Sequence, residues 1–128
     1  MNLKNSQYQA IMRQYDLRQM EHRHQQTLRY EELCNKLPAY RNLEDQIAAL
    51  YADRARAAVL GQAVQLQDML QQIQTLQHQQ RILMTQAGYP SDYLALTYTC
   101  PDCHDTGFIG DEKCHCFKQA MVDLLYRQ

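Results

Sequence analysis

The chain is 128 residues long, carries 13 Lys and Arg against 14 Asp and Glu, and holds five cysteines. That length sets one domain, or one with a small appendage, and a charge near zero with no long block of one sign does not announce a nucleic-acid binder. No apolar run approaches the ~18 residues of a membrane span and the N-terminus lacks a secretory leader, so a soluble, cytoplasmic protein with no membrane association is expected.

Prolines and glycines all lie after Leu37, and the stretches between them hold nothing that breaks a helix. From Asn2 to about Lys36 the residues are mostly good helix formers, which predicts one long helix. Its apolar positions, Leu3, Tyr8, Ile11, Met12, Tyr15, Leu17, Met20, Leu28 and Leu33, form a broad and irregular stripe. His22 and His24 read as solvated. Arg13, Arg18, Arg23 and Arg29 step by five or six residues, which turns them around the helix instead of aligning them along a phosphate track. Cys34 reads as a small buried or half-buried side chain. Leu37-Pro38 ends the helix, because the residue before proline is pushed out of the α region, and Pro38 suits the first turn of the next helix.

From Tyr40 the seam positions step by three and four: Tyr40, Leu43, Ile47, Leu50, Arg54, Ala57. Gly61 is placed as a C-terminal cap. Leu66, Met69, Ile73, Leu76, Gln80, Leu83 and Ala87 repeat the pattern with glutamines on the outer faces, and Gly88 caps again. The short connection at Gly61 predicts an antiparallel hairpin. Residues 89–98 are expected to run partly extended and to dock the next segment on the helices through Tyr89, Tyr93, Leu96 and Tyr98.

That next segment holds four cysteines in two close pairs, Cys100/Cys103 and Cys114/Cys116, joined by a loop containing Gly107 and Gly110. Two thiolate knuckles facing each other supply the four soft ligands of a tetrahedral, structural Zn²⁺. Disulfides are the alternative, weakened by the absence of a leader and by the lone thiol of Cys34. His104 and His115 sit beside the cysteines, so three cysteines with one histidine form a second ligand set. Residues 117–126 predict a short amphipathic helix with Phe117, Met121, Leu124 and Leu125 on one face. Its N-terminus near Cys116 would favour a thiolate there. The expected fold is mainly α: a long N-terminal helix, an antiparallel heptad hairpin, a small four-cysteine zinc knuckle and a short C-terminal helix. The expected division is residues 1–88, helical, and 89–128, the knuckle with its helix.

Catalysis finds no support in the residues. There is no Walker A loop and no Ser/His/Asp arrangement, and four thiolates leave a zinc no open position. Asp102, Asp105, Asp111 and Glu112 read as solvated loop acids. They outnumber Lys113 and Lys118, and a Zn²⁺ with four thiolates is itself an anion, so the knuckle repels phosphate.

Three segments, Gly88-Tyr89-Pro90-Ser91-Asp92-Tyr93-Leu94, Tyr98 through Gly110, and Lys113 through Gln119 with Leu124-Leu125-Tyr126, resemble the N-terminal region of the DnaC/DnaI-like replicative helicase loaders of Gram-positive bacteria and their phages. The likeness is specific from Gly88 to Tyr126 and only general upstream. It implies Cys100, Cys103, Cys114 and Cys116 as metal ligands, and an adaptor that docks on the replicative hexameric helicase. Such proteins continue into an AAA+ ATPase module, and this chain stops at Gln128, so the ATPase activity does not carry over and no enzyme is expected. Helicase contact is expected on the first helix at Tyr8, Ile11, Met12 and Tyr15, a stripe that equally suits a homo-oligomer seam. Direct nucleic-acid binding is not expected. The alternative readings are a single-stranded nucleic-acid-binding zinc module and a self-associating coiled coil.

Overall fold

A computed structural model describes residues 3–126, with backbone alone at 63–65. The order is α1 (Asn5–Lys36), α2 (Pro38–Val59), α3 (Ala63–Gln86), β1 (Phe108–Ile109), β2 (Glu112–Lys113) and α4 (His115–Tyr126). The mainly helical fold expected from the sequence is the fold observed. Asn2, the expected start of the first helix, lies outside the described residues.

The breaks fall where chain chemistry puts them. Leu37 leaves the helical region (φ −125°, ψ 79°) ahead of Pro38, which takes the first position of α2. The Leu37 N–H still donates to Leu33 O at 2.8 Å, and its carbonyl accepts from the Tyr40 N–H at 2.9 Å. One residue thus closes α1 and opens α2. At the far end of α2, Gly61 adopts φ +73°. Its N–H donates to Ala58 O at 3.3 Å and the Gln62 N–H donates to Ala57 O at 3.0 Å, the paired bonds of a Schellman cap. The same pair recurs after α3, from Gly88 to Thr85 O and from Tyr89 to Met84 O.

By packing, the chain forms two compact units, one from the residues up to Thr27 with those from Ala95 onward, the other from Leu28 to Leu94. The expected boundary between residues 88 and 89 is not where packing divides the chain, because α1 contributes residues to both units.

In the second unit α2 and α3 run antiparallel: Ala39 and Leu43 lie beside Ile82 and Leu83, while Leu50 lies beside Asp68 and Leu76. The predicted seam is the buried one, with Tyr40, Ile47 and Ala57 of α2 and Ile73 and Gln80 of α3 inside. Ala87, the last predicted seam position, is exposed. The buried Gln80 amide donates to Glu44 Oε2 at 2.7 Å, so the one polar seam residue of α3 is satisfied. Leu33, Cys34, Tyr40 and Met84 form this unit's core, flanked by Tyr30, Tyr89 and Tyr93. Tyr89 and Tyr93, expected to dock the cysteine segment, pack against this unit's own core.

The first unit gathers Ile11 and Tyr15 of α1 with Cys100, Cys103, Cys114, Phe117 and Met121. A two-stranded ladder pairs Phe108 with Lys113 and Ile109 with Glu112.

Candidate metal centre

The four cysteines of the sequence motif meet. Cys100 Sγ lies 3.8 Å from Cys114 Sγ, and Cys103 Sγ lies 3.6 Å from Cys116 Sγ. All four ligand atoms fall within 4.8 Å of one another. A disulfide would hold two sulfurs about 2.05 Å apart, and all five cysteines are free. A tetrahedral metal with bonds of about 2.3 Å to sulfur spaces its ligands about 3.8 Å apart. The donor set therefore fits a four-coordinate metal ion.

Local backbone chemistry builds each knuckle. After Cys103, His104 and Asp105 take left-handed conformations, φ 55° and 59°. This turns the chain so that the Thr106 N–H reaches Cys103 O at 3.2 Å and the Gly107 N–H points at Cys103 Sγ at 3.4 Å. Gly107 is required there twice over: its φ is +85°, and a Cβ would meet Tyr15 Cε2 at 2.9 Å. The second knuckle is the start of α4. Cys114 O accepts from the N–H groups of Phe117 and Lys118 at 3.0 and 3.1 Å, so Cys114 caps the helix and Cys116 lies in its first turn. The helix begins at His115, slightly earlier than the sequence suggested, and its N-terminal dipole favours thiolate at both positions.

The thiols do not titrate alike. Cys103 is lowered to about 7: burial opposes this, and the Gly107 N–H together with the neighbouring sulfurs outweighs it. Burial first, then neighbouring thiols, pushes Cys116 up to about 12. Sulfurs this close cannot all ionise against their mutual repulsion, which a divalent cation bound among them would offset.

Side chains of α1 complete the site. Tyr15 Oη lies 2.8 Å from Cys116 Sγ. Burial, then this sulfur, raises the phenol above its usual range, so it stays protonated and can donate to a thiolate. Gln19 Nε2 donates to Asp105 O at 2.6 Å. His22, expected to be solvated, has Nδ1 2.7 Å from Thr97 Oγ1 and Nε2 2.9 Å from Thr99 Oγ1.

Asp105, read as a solvated acid, is 1% exposed. Its two oxygens accept from the N–H groups of Thr99 and Cys100 at 2.9 and 2.8 Å. Those donors have no strand or helix to serve them, and leaving the buried Cys100 N–H without an acceptor would cost about 1–3 kcal/mol. Neither Asp105 nor His22 carries a periodic or spaced signal by which the sequence alone could have marked it.

The expected partner residues are not all available. Ile11 and Tyr15 are buried in the core of this unit, Met12 is half-buried, and Tyr8 is at the edge, 37% exposed with its ring 5.9 Å from that of Phe117. The irregular stripe of α1 reflects this: its Ile11–Tyr15 part covers the knuckle, while Leu17 and Met20 face solvent, 60% and 59% exposed.

The two histidines beside the cysteines part ways. His104 stacks on Tyr98, ring centroids 4.4 Å apart. His115 Nε2 lies 2.7 Å from Asp102 Oδ2 and 3.9 Å from Cys100 Sγ. Buried Cys100 with exposed Asp102 and His115 thus forms a smaller donor group at the edge of the thiol cluster. Comparison of the chain with family models, curated proteins and solved structures returned no match.

Proposed function

We propose that this chain is the non-enzymatic adaptor region of a DnaC/DnaI-like helicase loader, held in shape by one structural Zn²⁺ on Cys100, Cys103, Cys114 and Cys116. The observation that carries the metal assignment is the placement of four free sulfurs at tetrahedral spacing, with no disulfide among them. Four thiolates suit Zn²⁺, and they occupy every position of a structural site, leaving none for a catalytic water. The helicase-loader reading rests on the resemblance from Gly88 to Tyr126 and on exposed apolar residues of α1 that the unit's own core does not use.

With Ile11 and Tyr15 buried, the docking surface on this reading moves to Leu17 and Met20. Exposed apolar side chains of this size become anchors when a partner desolvates them. Among the described residues no helix is long and apolar enough to cross a membrane, and free clustered cysteines match the reducing cytoplasm. Calorimetry with the replicative hexameric helicase of the same genome tests the reading. Binding weakened roughly tenfold or more by Leu17→Glu with Met20→Glu is expected, from the cost of burying unpaired carboxylates. Absence of binding by the zinc-loaded chain would overturn it.

A further inference from the structure

Tyr15, Gln19 and His22 follow one another along α1 in steps of four and three residues, which sets them on one side of the helix. Each reaches the cysteine segment. Tyr15 meets Cys116 Sγ, Gln19 donates to Asp105 O, and His22 lies against Thr97 and Thr99. The helix is thereby fixed in rotation against the thiol cluster, with the phenol of Tyr15 aimed at a sulfur.

The Tyr15 ring is held on both sides. It is 1% exposed and stacks on Phe117, with ring centroids 6.1 Å apart and planes 9° from parallel. Its edge lies against Gly107, where a Cβ would come within 2.9 Å of Tyr15 Cε2 and 3.2 Å of Cζ. Gly107 thus serves two sulfurs. Its N–H points at Cys103 Sγ at 3.4 Å, and its missing side chain leaves the room through which the phenol reaches Cys116.

A metal decides the direction of that contact. A thiol and a phenol 2.8 Å apart can each donate to the other. A metal-bound sulfur has given up its proton and only accepts, which leaves the phenol as donor. Hydrogen bonds to an ionised acceptor are about twice as strong as neutral ones. Four thiolates around a divalent ion also bring net negative charge into a core of Ile11, Phe117 and Met121. A donor aimed at one of the sulfurs spreads that charge, and the Arg18 guanidinium, 5.3 Å from the centroid of the Tyr15 ring, adds a cation on the same side.

We propose that Tyr15 is a positioning residue of the metal centre: its O–H donates to the metal-bound Cys116 thiolate and sets how tightly the ion is held. This role rests on the four-cysteine metal assignment and is independent of any helicase.

Cobalt(II) substitution in the full chain tests it, because sulfur-to-cobalt charge-transfer bands report on the thiolates themselves. Tyr15→Phe keeps the ring against Phe117 and Gly107 and removes the O–H. This variant is expected to hold zinc roughly 10- to 100-fold more weakly in chelator competition, with circular dichroism unchanged. The charge-transfer band of its cobalt form is expected to move to lower energy, since a thiolate relieved of a hydrogen bond gives up electron density more readily. Ile11→Val thins the same core without removing a hydrogen bond, and it leaves the band in place. An unmoved band in Tyr15→Phe, whatever its affinity, overturns the role of Tyr15 and leaves the metal assignment standing. So does a band that moves equally in Ile11→Val, which would make the effect one of packing. An unmodified chain whose cobalt form shows no thiolate bands overturns the metal assignment, and the role of Tyr15 with it.

Discussion

The two units of this protein bury similar kinds of residue and hold together by different means. The hairpin unit is built from repetition: two helices of more than twenty residues whose every third or fourth position meets its counterpart. Its core needs no ligand. The cysteine unit has two strands of two residues each and a helix of twelve, a segment too small to close a core of its own. It uses Ile11 and Tyr15 of α1, a carboxylate that serves stray backbone donors, and four sulfurs placed for a metal. A regular pattern makes a core that tolerates change in proportion to the volume lost. A donor set makes one that fails at a single atom.

The largest expected effect tests that difference. Metal binding at structural zinc sites is worth on the order of 10–16 kcal/mol in zinc-finger peptides. If the proposed zinc is bound, removing it with a chelator, or changing Cys100→Ser, is therefore expected to abolish amide protection from about residue 100 to 120. The protection of α2 and α3 should persist, since the hairpin seam contains no ligand. Hydrogen exchange read by mass spectrometry separates the two, and equal loss in both units would break the comparison.

Next in size is Leu33→Ala. Leu33 is fully buried among the hairpin residues, so the cavity it leaves costs about 2–5 kcal/mol. Denaturant unfolding followed by helicity should show this loss while the chain keeps its zinc. A smaller effect is expected from Gly107→Ala, which combines a left-handed φ with a Cβ pressed on Tyr15 and Phe117. Backbone strain of that kind costs about 1–3 kcal/mol. Here chelator competition is the measurement, with weaker zinc retention and an unchanged hairpin as the outcome.

The pH responses sharpen the contrast further. On the proposed assignment, zinc binding requires thiolates, so acidification is expected to displace the metal and unfold the cysteine unit. The hairpin unit is expected to respond at the other end of the scale. Burial, then the Cys34 thiol and the Glu44 charge, holds the Tyr30 phenol at about 12, and burial raises Tyr40 as well. A raised folded-state value means the protonated phenol is favoured by folding. Its contribution is complete below about pH 10 and is lost as pH rises through about 12. Tyrosinate absorbance and helicity should change together in that range, and phenols that ionise near 10 with helicity intact would refute this.

Much of the architecture was legible because it depends on local rules. Leu37-Pro38, Gly61 and Gly88 mark breaks through their own backbone preferences, and the three-four steps from Tyr40 to Leu83 can serve only a helix with one covered side. The cysteines were legible because thiols in two tight pairs have few other uses. What could not be read was which surface covers which. The α1 stripe shows that Ile11 and Tyr15 need cover, but not that the knuckle supplies it, and so they were expected at a partner interface. For the same reason the sequence suggests a division after residue 88. In the sequence Asp105 and His22 look solvated, as polar side chains of a loop and a helix do, until the fold brings Thr99, Cys100 and Thr97 to them.

The central claim is that one metal ion sits among Cys100, Cys103, Cys114 and Cys116. X-ray absorption at the zinc edge, on protein purified under reducing conditions with metal content measured in parallel, tests it most directly. One zinc per chain with four sulfur neighbours at about 2.3 Å is the predicted result. A nitrogen in the coordination shell, which would bring in His115, or a folded chain that holds no zinc, would contradict it.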